Sequence, residues 1–272
     1  MLRGCQHVDK PSLRHYADAM STWTSVSPAP AVLRAGAALD IIAAAGRRPV
    51  RLPEIAAGLG IARSSAANVC AALAEIGLIK EVDRGFVLGH KLVELSGYYL
   101  AAFDPIQRFN DYCRMHEEVH SYTLHLATLE GLNSMNVARS YGTDSVAVAP
   151  RVGQHLPANC TAIGKIMLAQ FDDDEVRRRV EAAVPLQAMT VHSKTDVDEV
   201  LADIRATRER GYAVNDEETY LGVYGVAVAV TDLAPGEGPY GVSCSTLKAS
   251  MDSSQRDAML KLLRDVASAT AG

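Results

Sequence analysis

The segment that decides the fold covers residues 62–76 and reads ARSSAANVCAALAEI. Apolar residues recur along it at intervals of three and four, which is the spacing of one face of an α-helix. We therefore predict a helix from Ala62 to Ile76, ended by Gly77. Its opposite face carries the polar side chains of Ser64 and Asn68. The predicted buried stripe consists of Ala66, Val69, Leu73 and Ile76.

Short elements surround this helix on both sides. A helix is predicted over residues 32–45, and a second one begins near Pro53, because proline suits a first helical turn. Gly60 lies where a tight turn between helices needs a residue that tolerates positive φ. Residues 78–88 then form a predicted hairpin around the turn Asp83-Arg84-Gly85. This order of elements predicts a winged helix-turn-helix over residues 28–88.

The remainder of the chain alternates between helical and strand patterns. Residues 89–103 predict a linker helix, and a further helix is expected from Pro105 to about Val119. A hairpin follows with its turn at Glu130-Gly131, and later strands and helices alternate to the C-terminus. We therefore predict an α+β domain over residues 104–272. Residues 1–27 show no sustained period and are interpreted as a leader.

Charge is distributed unevenly along the chain, whose net charge is −5. Residues 28–95 hold 8 Lys and Arg against 6 Asp and Glu, whereas residues 96–272 hold 16 against 24. A mildly basic N-terminal part on an acidic C-terminal part favours a nucleic-acid reader joined to a sensor or assembly domain. No apolar run approaches the ~20 residues of a membrane helix, and five dispersed cysteines indicate a reducing compartment. We expect a cytoplasmic protein that does not contact a membrane.

Several motifs resemble those of the IclR family of regulators from about Ala31 to the C-terminus. The N-terminal part contributes LPEIAAGLGI at residues 52–61 and AEIGLI at residues 74–79. The more specific motifs are RVG at residues 151–153, LP at 156–157 and TAIGKIMLA at 161–169. They are followed by GYAVNDEE at residues 211–218, LGV at 221–223 and VAV at 226–228.

This resemblance implies a DNA-binding repressor or activator that is not an enzyme and needs no cofactor. It implies a winged helix-turn-helix joined by a helical linker to a GAF-like effector-binding domain. The expected partners are a double-stranded DNA operator, a small organic acid as effector, and further copies of the chain in a homodimer or homotetramer.

The predicted DNA-reading surface is built around the N-terminal part of the helix at residues 62–76. A helix in the major groove reads base edges with residues near its N-terminus, and asparagine can pair bidentately with adenine. Other basic residues lie before the second helix and on the hairpin, where they can hold phosphates. The sequence leaves open that these side chains form an ordinary solvated face. The candidate residues are Arg47, Arg48, Arg51, Arg63, Ser64, Ser65, Asn68, Lys80 and Arg84.

A ligand pocket is predicted where a helix begins near Thr161. An uncapped helix start offers backbone N–H groups to a carboxylate, and Ser243 and Ser245 place two hydroxyls on one strand face. The resemblance implies ligand contacts at Ser243, Ser245, Asn215 and the backbone of residues 162 and 163. Asn215 and Gly225 depart from the more acidic or bulkier residues of the family, which favours room for an aromatic acid such as a hydroxybenzoate. The candidates are Thr161, Ala162, Ile163, Asn215, Tyr224, Gly225, Ser243 and Ser245, with Tyr220 as a further aromatic contact; an ordinary polar strand face stays an alternative.

Two other chemistries remain open at this stage. The run from His116 to His120 reads HEEVH and fits the zinc-hydrolase motif HExxH, with Glu117 as base and His125 as the nearest further ligand. Cys160 beside a helix start could have a lowered pKa, as in a thiol-redox regulator. The acidic run at residues 216–218 is interpreted as solvated.

Overall fold

A computed structural model of the chain describes residues 29–143, 150–233 and 238–272. The chain divides into two units between Tyr99 and Leu100, within the predicted linker helix. The predicted leader at residues 1–27 lies outside the described residues.

The N-terminal unit has the predicted order of elements, and its winged helix-turn-helix fold is confirmed. Gly60 has a φ of 62° at the tight turn before the third helix, as its position in the sequence predicts. The two strands pair antiparallel around the turn at Asp83-Arg84. The elements are α1 (Pro30–Ala44), α2 (Leu52–Leu59), α3 (Arg63–Glu75), β1 (Ile79–Val82), β2 (Gly85–Leu88) and the linker helix α4 (Lys91–Ala101).

The buried stripe of α3 differs in part from the prediction. Ala66 and Leu73 are buried as expected, but Cys70 takes the place that the prediction gave to Val69, which is half-buried. Ile76 is 58% exposed, so its predicted burial is wrong. The reason is local: α3 ends at Glu75, and the backbone of Ile76 leaves the helical path at a ψ of 2°.

The C-terminal unit is built on a six-stranded antiparallel sheet. Its order is β5-β4-β3-β8-β7-β6, so the two hairpins β3–β4 and β6–β7 lie on either side of β8. The short strand β5 was not anticipated from the sequence. The strands are β3 (Leu124–Glu130), β4 (Asn133–Ser140), β5 (His155–Pro157), β6 (Ala213–Asp216), β7 (Val223–Val230) and β8 (Tyr240–Leu247).

Five helices of this unit flank the sheet or follow its strands. The predicted helix from Pro105 to Val119 stops at Met115, because the backbone of His116 is extended and a 3₁₀ turn occupies Glu117–Ser121. The other four follow the predicted alternation of helices and strands, and one of them begins next to Thr161 as expected. The helices are α5 (Asp104–Met115), α6 (Ala162–Leu168), α7 (Asp173–Glu181), α8 (Val197–Arg210) and α9 (Ser253–Ala271).

The two faces of the sheet carry side chains of different size because successive residues of a strand point to opposite sides. Large side chains such as Val226 and Val242 pack against Phe109 of α5 and Leu263 of α9. The other face presents small residues to α6. These small residues are Ala127, Ala213, Ala227 and Gly241. A Cβ atom at Gly241 would lie 3.1 Å from the side chain of Ile163, which shows how closely α6 approaches the sheet.

Within the described residues, no single helix is long and apolar enough to cross a membrane. Only α2 and α3 taken together reach that length and composition, and they are bent by 109° relative to each other.

We predict that Gly164→Ala strongly destabilises the C-terminal unit. The added Cβ would lie 2.3 Å from Cα and 2.6 Å from the carbonyl oxygen of Ala158, so the backbone has to move. We expect a loss of at least about 1–3 kcal/mol in the free energy of unfolding, measured by urea denaturation. Gly36→Ala is the matched control, because this helical glycine has no atom within 4 Å of an added Cβ. Equal stability of both variants would contradict the close approach of α6.

Candidate nucleic-acid interface and ligand cavity

The exposed face of α3 collects the polar residues predicted to read DNA. Arg63, Ser64 and Asn68 are exposed, and Ser65 is half-buried. The basic residues that precede α2 or lie on the hairpin are also exposed, namely Arg47, Arg48, Arg51, Lys80 and Arg84. The structure therefore leaves all the predicted side chains of this surface at least partly open to solvent.

The basic residues before α2 differ in whether a carboxylate already binds them. The Arg48 guanidinium lies 2.8 Å from one carboxylate oxygen of Glu54, and Arg51 Nε lies 3.5 Å from the other. The backbone N–H of Arg51 also donates to Glu54, which caps the start of α2. This backbone bond and the Arg48 side chain hold the pKa of Glu54 below its usual value. By contrast, Arg47, Arg63 and Arg84 form no salt bridge with any described residue.

The C-terminal unit contains a cavity between the small-residue face of the sheet and the start of α6. Its volume is about 60 Å³, several times the ~10–15 Å³ that one ordered water requires. No lysine or arginine is among the described residues that line it. The lining residues are Thr123, His125, Asn136, Pro150, Leu156, Thr161, Ala162, Ile163, Asn215, Thr219, Tyr220, Val223, Ser243 and Ser245.

Six of the eight predicted ligand residues are brought together around this cavity. Tyr224 is not among them, because strand alternation turns it to the opposite face of the sheet, where it packs against the larger core. Gly225 does not line the cavity either. A Cβ atom there would lie 2.8 Å from Ser245 Oγ, so the space that this glycine frees is used by the serine hydroxyl rather than by a ring. The six are Thr161, Ala162, Ile163, Asn215, Ser243 and Ser245.

Two of these six side chains are already occupied by bonds within the protein. The expected uncapped helix start is in fact capped, because Thr161 Oγ1 accepts the backbone N–H of Gly164 at 3.0 Å. Asn215 donates to Thr219 Oγ1 at 2.8 Å and accepts the backbone N–H of Glu218 at 2.9 Å. Thr219 Oγ1 in turn donates to the carbonyl of Cys160 at 2.6 Å. Asn215 therefore fixes the segment that follows β6.

Other polar groups of the cavity are free to bind a ligand. The hydroxyls of Ser243 and Ser245 make no hydrogen bond to any described residue, whereas Cys244 between them is buried in the opposite core, as strand alternation predicts. Tyr220 also lines the cavity, and burial raises the pKa of its phenol. The chemistry on offer is a set of neutral hydrogen-bond donors beside apolar walls.

The β3–β4 hairpin contributes side chains to this cavity that were not predicted from the sequence. His125 and Asn136 are 5% and 2% exposed and lie on the cavity face of the sheet. Burial, with a smaller effect of Arg139, lowers the pKa of His125 to about 4, so its ring is neutral near pH 7. The sequence shows that His125 and Asn136 are polar residues within predicted strands. Placing them at this cavity requires the register between the strands, which the sequence does not give.

A buried ionic cluster holds one wall of the cavity in place. Lys165 Nζ lies 2.8 Å from Asp203 and 2.8 Å from Glu218, and Lys194 Nζ bonds the same two carboxylates. Burial alone would favour neutral Asp203, but the two lysines outweigh it and keep the pKa of Asp203 below its usual value. Glu218 is 4% exposed, so the interpretation of residues 216–218 as solvated is wrong at this position.

Comparisons with known proteins agree with this arrangement. Residues 107–271 match the family model described as Bacterial transcriptional regulator IclR C-terminal, and residues 31–83 match the IclR helix-turn-helix domain. The chain belongs to the IclR family. The Pca regulon regulatory protein of Pseudomonas putida is 29% identical over 188 residues, which are 68% of this chain and 64% of that protein. The match thus spans just under two thirds of the Pseudomonas protein.

Two further IclR-family proteins extend the comparison. The p-hydroxybenzoate hydroxylase transcriptional activator of Acinetobacter baylyi is 26% identical over 189 residues, covering 68% of this chain and 69% of that protein. The crystal structure of an IclR transcriptional regulator from Alicyclobacillus acidocaldarius aligns with a TM-score of 0.76 at 25% identity. That alignment covers 89% of this chain and 97% of the Alicyclobacillus chain.

The zinc-hydrolase alternative does not fit the geometry of this IclR-family chain. His116 has an extended backbone and stacks on Tyr112 at 3.9 Å between ring centroids, while His120 lies in the separate 3₁₀ turn. The motif needs both histidines on one face of a continuous helix. Among the described residues, no three metal-ligating side chains lie together.

The redox alternative at Cys160 is also disfavoured. This cysteine is fully buried, its Sγ donates to the carbonyl of Gln187 at 3.3 Å, and burial raises the pKa of the thiol. A reactive cysteine needs exposure and a lowered pKa, and both are contradicted here.

We predict that Cys160 of this IclR-family regulator resists alkylation in the native state. Its thiol is buried and its thiolate is disfavoured, so iodoacetamide at pH 8 should modify it only after unfolding. Peptide mapping by mass spectrometry, with and without urea, measures this directly. Cys244 is the internal control, since it is buried in the opposite core. Complete native labelling of Cys160 alone would restore the redox hypothesis.

Proposed function

We propose that this IclR-family chain binds operator DNA through the exposed face of α3 and that an aromatic carboxylate in the cavity of the C-terminal unit controls this binding. A hydroxybenzoate is the proposed kind of effector. The observation that carries the proposal is the combination of a helix-turn-helix with an exposed polar α3 and a separate unit with a cavity lined by apolar and neutral polar residues.

The DNA-binding half of the proposal follows from what α3 exposes. Its buried side chains, Ala66, Cys70 and Leu73, hold the helix against the core of the N-terminal unit. Arg63 and Asn68 remain open to solvent near its N-terminal part, where a recognition helix contacts bases. Arg47 and Arg84 supply exposed charge that no described carboxylate neutralises, as phosphate contacts require.

The effector half follows from the lining of the cavity. Hydroxyls at Ser243 and Ser245 have no protein partner among the described residues and can donate to a carboxylate. The N–H groups of Ala162 and Ile163 belong to a first helical turn, where no intrahelical acceptor exists. Apolar walls from Ile163, Leu156 and Val223 suit a ring between these donors. The names of the Pseudomonas and Acinetobacter relatives, which refer to the Pca regulon and to p-hydroxybenzoate hydroxylase, agree with this ligand class.

Control of DNA binding requires that the effector prefers one arrangement of the assembly over another. We propose a homodimer or homotetramer that binds two half-sites, so that the operator is palindromic or repeated. The segment 218–220 is the proposed transmitter, because Thr219 and Tyr220 line the cavity and the segment is held by Asn215 and by the Lys165 cluster, the buried ionic cluster described above.

We predict that Asn68→Ala and Arg47→Ala weaken DNA binding in different ways. Loss of the Asn68 amide should reduce discrimination between operator and unrelated DNA by about 1–3 kcal/mol. Loss of the Arg47 charge should weaken binding to all DNA and lower the salt slope by about 1. Fluorescence anisotropy at several salt concentrations, with DNA from upstream of the chain's own gene, provides both values.

Arg177→Ala is the matched control for Arg47→Ala, because it removes the same charge from an exposed site in the C-terminal unit. It should leave DNA affinity unchanged. If the α3 and Arg47 variants bound every DNA as the original chain does, the proposed interface would be wrong.

We predict that Ser243→Ala and Ser245→Ala each weaken binding of the acid by about tenfold or more. A hydrogen bond to a charged group contributes about 1.5–3 kcal/mol, which corresponds to this range. Calorimetric titration with a panel of aromatic and aliphatic acids measures the affinities, and Ser254→Ala on the exposed start of α9 is the control. Binding of only the short aliphatic acids would refute the proposed aromatic effector.

A further inference from the structure

Two buried polar groups of the cavity lack a partner. Nδ1 of His125 and Oδ1 of Asn136 are both inaccessible to solvent, and neither has a hydrogen-bond partner among the described residues. Buried polar atoms are nearly always paired, and an unpaired one costs about 1–3 kcal/mol. Both residues line the cavity, and a bound molecule that bonded these atoms would remove this cost.

Strand register places these two residues on the β3–β4 side of the cavity. His125 on β3 lies directly opposite Ser243 on β8. Asn136 on β4 pairs with Ala127, two residues after His125, and therefore shares its face of the sheet. Since β3 lies between β4 and β8, the outer two strands are about 10 Å apart. The cavity lining thus has two polar groups of residues: the serine pole, formed by Ser243 and Ser245, and the β3–β4 pole, formed by His125 beside Ser243 and by Asn136 one strand further away.

The two poles differ in hydrogen-bond chemistry. The serine pole offers hydroxyl donors and suits a carboxylate, as already proposed. At the β3–β4 pole, Asn136 Oδ1 can only accept a hydrogen bond, so a carboxylate placed there would meet another acceptor. The neutral ring of His125 has one N–H donor and one acceptor nitrogen. A hydroxyl group both donates and accepts, and it can therefore satisfy Asn136 and His125 together.

We propose that the β3–β4 pole recognises a hydroxyl group of the effector, so that the protein selects hydroxy-substituted aromatic acids over the unsubstituted acid. This inference rests on the proposed function of the same cavity and adds to it the residues that read the second substituent. With the carboxylate at the serine pole, the ring spans β3 and presents its hydroxyl towards β4.

The first test uses the full-length protein and matched ligands. Calorimetric titrations compare benzoate with 2-, 3- and 4-hydroxybenzoate and with the methoxybenzoates, which accept but do not donate. A site built to bond a hydroxyl rejects the analogue that lacks it. We expect at least one hydroxybenzoate to bind tenfold or more tightly than benzoate and than its own methyl ether.

The second test asks whether the β3–β4 pole causes the preference for the hydroxy acid. In Asn136→Leu and His125→Phe, the preference for the hydroxy acid should fall to about twofold or less, while benzoate binds as before or more tightly. Asn133→Leu is the matched control, because it makes the same change at an exposed position of the same strand. It should keep the full preference.

A third measurement uses the original chain, so that misfolding of a variant cannot affect the result. In ¹⁵N NMR spectra of the original chain, the ring nitrogens of His125 should shift on addition of the hydroxy acid and much less on addition of benzoate. Equal affinities for benzoate and every hydroxybenzoate, or an unchanged preference in folded Asn136→Leu, would overturn the inference and leave the effector proposal intact. Failure of every acid to bind would instead refute the proposed function, and this inference with it.

Discussion

The structure of the C-terminal unit depends on the two-residue period of its central strands. On β7 and β8 this period places Val226, Val242 and Cys244 on one face and Ala227, Gly241 and Ser243 on the other. The large side chains form the core with α5 and α9. The small ones let α6 lie close to the sheet. The cavity lies between this face of the sheet and the start of α6. A shift of one residue in register would exchange the two faces and remove both the core and the cavity.

Polar groups around the cavity fall into two classes with different physical roles. Thr161, Asn215 and Thr219 are bonded to the protein and hold α6 and the segment after β6 in place. The lysines and carboxylates of the Lys165 cluster also hold these segments in place. Breaking one of their ion pairs costs more free energy than breaking a neutral hydrogen bond, because a buried charge without its partner is strongly unfavourable. Ser243, Ser245, His125 and Asn136 retain unused hydrogen-bonding capacity. The first class thus holds α6 and the segment after β6, while strand pairing holds the backbone of the second class.

The N-terminal unit follows a simpler constraint. Small residues at Ala66 and Cys70 allow α3 to pack closely on Ile41 and Ile55, and this packing leaves the polar side of the helix outside. Glu54 caps α2 and at the same time binds Arg48 and Arg51, so helix stability and surface charge are linked there. Among the candidate DNA contacts, the basic residues without a salt bridge to any described residue are Arg63 at the start of α3 and Arg47, Lys80 and Arg84 before and after it in sequence.

Local sequence patterns determined the winged helix-turn-helix, the order of helices and strands apart from β5, and the opposite orientation of Ser243 and Cys244. These features depend on periods of 3.6 and 2 residues. The family motifs located six of the residues that line the cavity. Only the tertiary structure decided that Tyr224 faces the core, that Glu218 is buried against Lys165, and that His125 and Asn136 join the cavity. The physical reason is that these properties depend on contacts between distant parts of the chain. Some depend on which strand lies beside which, and others on bonds between groups more than 50 residues apart, such as Lys165 and Glu218.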